Sequence, residues 1–131
     1  QHTLVKGEPD KEYILAIDPS FSNSPSSDYF AMSVLELDEE KGNESTLVHA
    51  YAVAGGDLKD HIKYLHYLVT SFNIVLLIID NAGYQFIDGA NESELFRDSR
   101  INLKFFDFLI FVLLFCLSSF FDLILDKKLC H

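Results

Sequence analysis

A chain of 131 residues is long enough for one hydrophobic core and short for two, and 49% apolar with 23% charged residues is the balance of a soluble globular domain. Twenty acidic against ten basic side chains give a net charge of -10. That disfavours a surface gripping nucleic acid unaided, since phosphate contacts need a basic stripe, and suits cation binding, which relieves repulsion among carboxylates.

The chain opens on Gln1 with no signal-peptide pattern before Tyr13, so it reads as a piece of a longer protein or a processed one. Residues 1–12, with Gly7, Pro9 and several charges, read as a linker from a missing upstream region. Residues 13–18 are an almost continuous apolar run ending in Asp18, the pattern of a strand buried on both faces. The following stretch, 19–28, is dominated by Pro, Ser and Asn and predicts a loop. Strands are expected over 29–37 and 46–54, joined by an acidic hairpin connection at 38–45 that contains Gly42 and Asn43.

Gly55 and Gly56 break the third strand, and Asp57 is placed to cap a helix. Leu58, Ile62, Leu65, Leu68, Val69 and Phe72 recur at three- and four-residue spacing, which predicts an amphipathic helix ending at Asn73. A fourth apolar strand, 74–80, ends in Asp80. Asn81, Ala82 and Gly83 then turn the chain into a weaker helical segment over 84–96, and 101–106 alternates as a fifth strand. Hairpins first and crossovers later imply a mixed α/β sheet with helices packed on it, in which the first and fourth strands lie adjacent and parallel. Asp18 and Asp80 then face one cleft, where two carboxylates on rigid strand ends can hold a divalent cation.

From 107 to 131 the pattern changes. The uninterrupted apolar part, 108–121, is 14 residues long, short of the roughly 20 that a membrane-spanning helix needs. Three readings compete: a core helix on the sheet, a short or tilted membrane anchor, and a frame-shifted or read-through end. The last is favoured, because a Phe-rich stretch without a polar face does not finish an exposed helix of a small soluble domain. Cys116 and Cys130 both lie in this stretch without CxxC spacing, so neither a zinc site nor a disulfide framework is indicated, and a reducing cytoplasm is the default compartment.

Three pieces of sequence carry a likeness to a known family: Ile14 to Ser20, with Asp18 followed by Pro19; Asp28-Tyr29, which opens the second strand; and Leu77 to Tyr84, with Asp80-Asn81-Ala82-Gly83 at its centre. Over about residues 13–106 the chain resembles the nuclease domain of the large terminase subunit of tailed bacteriophages, a ribonuclease H-like fold. The resemblance implies metal-dependent hydrolysis of double-stranded DNA during genome packaging, with Mg²⁺ or Mn²⁺ held by Asp18 and Asp80. It also implies an ATPase domain and other packaging proteins as partners, and the cytoplasm of a bacterial host as the compartment. A membrane partner is not expected. Family members carry a further metal-binding acid downstream of the fifth strand. Asp107, Asp122 and Asp126 are acids in that part of this chain, but nothing around them matches a motif, and no third ligand is assigned. No GxxxxGK[ST] phosphate-binding loop occurs.

Two other readings stand beside this one: a catalytically inactive ribonuclease H-like remnant lacking its last acid, and a small membrane-attached domain. At the residue level, an aspartate after an apolar strand also serves as a turn or cap, and Gly83 either lets the backbone approach a substrate or is a plain turn glycine. Asp28 reads more readily as a strand-edge turn residue than as an outer acid. The run 38–40 reads as a solvated hairpin tip. His49, His61 and His66 have no i, i+4 pairing and are expected at the surface or half-buried.

Overall fold

The computed structural model describes residues 3–19, 29–38, 40, 44–79, 83–104 and 106–107, with the backbone alone at 44, 106 and 107. Five strands and three helices follow one another as β1 (Glu12–Asp18), β2 (Tyr29–Asp38), β3 (Glu44–Ala54), α1 (Leu58–Ser71), β4 (Ile74–Ile79), α2 (Tyr84–Glu92), α3 (Glu94–Asp98) and β5 (Phe106–Asp107). The sheet order is β3-β2-β1-β4-β5. β1, β2 and β3 form an antiparallel meander, whereas β4 runs parallel to β1 and β5 parallel to β4. This is the mixed α/β sheet expected from the sequence.

Alternation along β1 sorts its side chains. Tyr13, Leu15 and Ile17 point into the core with Phe30, Met32 and Val34 of β2 and Leu77 and Ile79 of β4. The helices close the same face with Ile62, Leu65 and Leu68 from α1, Phe86, Ile87 and Ala90 from α2, and Phe96 from α3. Each of the larger side chains contributes about 1.5–3 kcal/mol on leaving water, so this one cluster drives the fold. Asp57 caps α1 as anticipated, its carboxylate accepting from the Lys59 amide.

Several boundaries differ from the sequence expectation, each for a local reason. The helical segment 84–96 is two helices, because the Ser93 hydroxyl donates to the Ala90 carbonyl at 2.6 Å and accepts from the Phe96 amide, ending α2 and capping α3. The strand expected over 101–106 is confined to Phe106–Asp107. Here the Asn91 side chain takes the place of a neighbouring strand: its Nδ2 donates to the Leu103 carbonyl at 2.9 Å and its Oδ1 accepts from the Leu103 amide at 2.7 Å. Ile101 and Leu103 pack on the core, so their alternation reports burial, while their hydrogen bonding belongs to the helices. At the end of α3 the Ile101 amide reaches the Phe96 carbonyl and the Arg100 amide the Arg97 carbonyl, with Arg100 at φ 58 in the left-handed position where such caps favour glycine.

The hairpin between β2 and β3 is tighter than 38–45, since Asp38 already pairs with Glu44; the Asp38 carboxylate accepts from the Glu40 amide. Ahead of β1, the segment read as a linker runs along the domain. Its Leu4 amide donates to Val48 O, its Gly7 amide to Ser71 O, and its Val5 carbonyl accepts from the Tyr67 hydroxyl. The apolar stretch 108–131 lies outside the described residues. Among the described residues, no helix is long and apolar enough to cross a membrane.

Candidate functional site

β1, β4 and β5 are mutually parallel, so their carboxyl ends meet at one edge of the sheet, where α/β folds present ligand-binding groups. The register is explicit: Ile17 pairs with Ile79, and Ile79 with Asp107. Asp18 closes β1 at this edge, exposed and paired across to Ala31 of β2. The residue that follows Ile79 in sequence is Asp80, which lies outside the described residues, as do Asp28, Asp122 and Asp126. Asp107, one of three downstream acids left unassigned in the sequence because apolar Phe106 and Phe108 flank it without a motif, has its backbone at the same edge.

The floor of this edge is tightly built. Gly83, which turns the chain into α2, sits so close to the strand ends that a Cβ there would lie 2.3 Å from Ile79 Cδ1 and 2.7 Å from Pro19 Cγ. Its φ is -86°, so glycine is needed for space and not for an unusual backbone. Close packing is thus a further reason for glycine at this turn. Tyr84, next in the chain, is half exposed, and a hydrogen bond to Asp88 raises its phenol above the usual tyrosine range.

The ion pairs of the described residues lie elsewhere. Lys11 contacts Glu36 at 2.7 Å and Glu8 at 3.5 Å, near the amino end of β1, where Tyr13 pairs with Glu36. Among the described residues no cation neutralises Asp18, which leaves its oxygens for a ligand. No group of three or more His, Cys, Asp or Glu side chains suited to a metal ion occurs among them. The described donor set is therefore one exposed carboxylate on a rigid strand end, the right chemistry for a hard cation but too few ligands on its own.

The histidines do not add to it. His49 and His61, expected at the surface or half-buried, are buried at 7% and 4% exposure because each ring has both nitrogens satisfied. The Leu4 carbonyl can only accept, so His49 Nδ1 donates to it at 2.7 Å and a neutral ring accepts from the Tyr64 hydroxyl at Nε2, 2.6 Å away. His61 Nε2 likewise donates to Gly55 O at 3.0 Å while Nδ1 accepts from Tyr51, and the ring stacks on Phe30 at 4.1 Å. His66 Nε2 lies 2.8 Å from Ser99 Oγ, a nucleophile-and-base spacing. The Ser99 hydroxyl, however, is directed to the Leu95 carbonyl at 2.8 Å, so the imidazole donates here and takes no proton from the serine.

No protein-family model matches the chain, and no curated protein matches it. Among solved structures, it is similar to the large terminase nuclease from thermophilic phage G20c, at 20% identity and a TM-score of 0.51. The match covers 79% of this chain and 48% of that one, so the chain spans about half the length of its structural neighbour. At this identity the likeness shows the fold alone: the mixed α/β sheet is one that this chain shares with that structure.

Proposed function

We propose that this chain is the nuclease domain, in whole or part, of a terminase-like genome-packaging protein, and that it hydrolyses phosphodiester bonds of double-stranded DNA with Mg²⁺ or Mn²⁺. The observation that supports the reading most is the pairing of Ile17 with Ile79 in adjacent parallel strands, each followed in sequence by an aspartate. Its support from outside the chain is the fold it shares with a phage large terminase nuclease.

In this reading Asp18 and Asp80 are the carboxylates that hold the cation, with Asp18 contributing a pre-positioned, unneutralised side chain at the end of a buried strand. When bound, the metal supplies an activated water and charge stabilisation at the phosphate. The role of the protein is to fix the ligands. Ile17 and Ile79, at 4% and 1% exposure, lock the strand ends, and the close seating of Gly83 on Ile79 and Pro19 keeps the turn from drifting. The bacterial host cytoplasm, where packaging takes place, is the proposed compartment, and an ATPase domain the proposed partner.

Calorimetric titration of the full chain with Mn²⁺ tests the site. The natural protein is expected to bind and Asp18→Asn to lose at least tenfold in affinity, with nicking of supercoiled plasmid falling in parallel. Equal Mn²⁺ affinity in the two proteins removes Asp18 from the site, and failure of the natural chain to nick at any Mn²⁺ concentration sinks the nuclease reading.

A further inference from the structure

Phosphate contacts need a basic stripe, and no single run of the sequence holds one; the fold assembles it from two distant pieces. On α1, Lys59, Lys63, His66 and Thr70 recur at three- and four-residue spacing, so they share one line along the helix, turned away from the buried Ile62, Leu65 and Leu68. Beside His66 stands the end of α3. His66 Nε2 donates to Ser99 Oγ at 2.8 Å, and the ring meets Phe96 edge-on at 5.4 Å. Arg97 and Arg100 flank Ser99 in the chain, so this contact brings cations from segments 33 residues apart onto one surface. Lys59, Lys63, Arg97 and Arg100 are all exposed, and none has an ion-pair partner among the described residues. The nearby acids stand off the line. Asp60 lies about 100° around α1 from Lys59, and Glu94 and Asp98, four apart, fall by helical spacing on the side of α3 away from Phe96 and Ser99. The net charge of -10 is thus an average over a surface that is basic along this line.

The line also has a direction. Asp18 pairs with Ala31 and Ala31 with Ala52, so β3 ends, at Ala54, on the same sheet edge as Asp18, and α1 starts there after Gly55, Gly56 and Asp57. β4, into which α1 leads, begins opposite Tyr13 at the far edge. Lys59 is therefore at the end of the line nearest Asp18, and Lys63 and the His66–Ser99 contact lead away from it. From 59 to 66 the helix rises about 10 Å, the rise of about three nucleotides of one DNA strand.

We propose that Lys59, Lys63, Arg97 and Arg100 form a contact surface for the sugar–phosphate backbone of duplex DNA, holding one strand as the duplex leaves the carboxyl edge of the sheet. The choice of DNA over another polyanion rests on the nuclease reading, since the line starts at the edge that bears Asp18. Binding of a short fluorescent duplex to the full chain, followed by anisotropy in the presence of a chelator over a series of KCl concentrations, tests the surface apart from catalysis. Lys63→Gln and Arg100→Gln are each expected to weaken binding about threefold and to lower the slope of log affinity against log salt by about 0.9. Lys6→Gln removes the same charge from the exposed start of the chain and should change neither. Equal losses in all three variants make net charge the cause and overturn the proposal. So does the absence of any binding by the natural chain, and so does polyglutamate that displaces the duplex as well as unlabelled DNA does, which marks an acidic protein as the partner. Plasmid nicking with Mn²⁺ separates the surface from the nuclease reading. A natural chain that nicks, with KM for DNA unchanged in Lys63→Gln/Arg100→Gln, sinks the surface alone; a chain that binds DNA through these cations and never nicks sinks the nuclease alone.

Discussion

Single residues at the carboxyl edge carry different burdens. Asp18 is an exposed carboxylate between a buried Ile17 and a buried Pro19 and contributes little to packing, so Asp18→Asn should leave the unfolding midpoint nearly unchanged while, under the proposed function, altering metal affinity. Gly83 is held for space. A methyl group there must push on Ile79, which at 1% exposure has nowhere to go, so Gly83→Ala is expected to destabilise by about 1–3 kcal/mol, read as a lower urea midpoint at constant m value. The same substitution at Gly89, where an added Cβ meets nothing within 4 Å in the middle of α2, should instead be neutral or stabilising by up to ~1 kcal/mol. The pair separates steric crowding from helix propensity.

Among the elements, the ones best marked in the sequence are those whose pattern and hydrogen bonding agree. β1, β4 and α1 are such cases: an apolar run or a three-to-four-residue spacing coincides with the ladder or helix that uses it, and Asp57 announces its own cap. β5 is the opposite case. The alternation of Ile101 and Leu103 is real, but whether their backbone pairs with a strand depends on Asn91, twelve residues before Leu103 and on another element, whose amide side chain imitates a strand edge. Periodicity cannot report that. Asn91→Ala should cost about 1–3 kcal/mol, because Leu103 loses both backbone partners at a part-buried site, and amide exchange at Leu103 should accelerate well before that of the β1 amides. The two buried histidines were hidden for the same reason, since the carbonyls of Leu4 and Gly55 that satisfy them come from segments with no pattern of their own. In the candidate site, the strand-end position of Asp18 was legible from its neighbours, whereas the edge position of Asp107 follows only from a register that pairs two residues.

For the molecule as a whole, the net acidic charge and the position of its tyrosines set how stability varies with pH. Burial raises the phenols of Tyr13, Tyr51 and Tyr64 above the ordinary tyrosine value, and the hydrogen bond that Lys11 donates to Glu36 likewise raises its ammonium. All four groups hold their protons more tightly folded than unfolded. Their stabilisation is therefore fully present below the unfolded values, near pH 10, and is lost as pH rises through the higher folded ones. Unfolding followed by circular dichroism should show a midpoint temperature that is flat from neutrality to about pH 9.5 and falls above it, in step with tyrosinate absorbance. Tyr51→Phe and Tyr64→Phe should flatten that fall; an unchanged alkaline limb in the double variant would assign it to Tyr13 and Lys11 instead.

The parallel pairing of β1 with β4 joins positions more than sixty residues apart, whereas β1, β2 and β3 meet through short connections. Closing so long a loop is slow relative to zipping hairpins, so the meander is expected to form first, with β4 inserted beside β1 afterwards. On a ribosome, Asp18 would thus wait on a half-built sheet until residue 79 has emerged, and under the proposed function no cation site, and so no cleavage of nucleic acid, would exist on the nascent chain before β4 arrives.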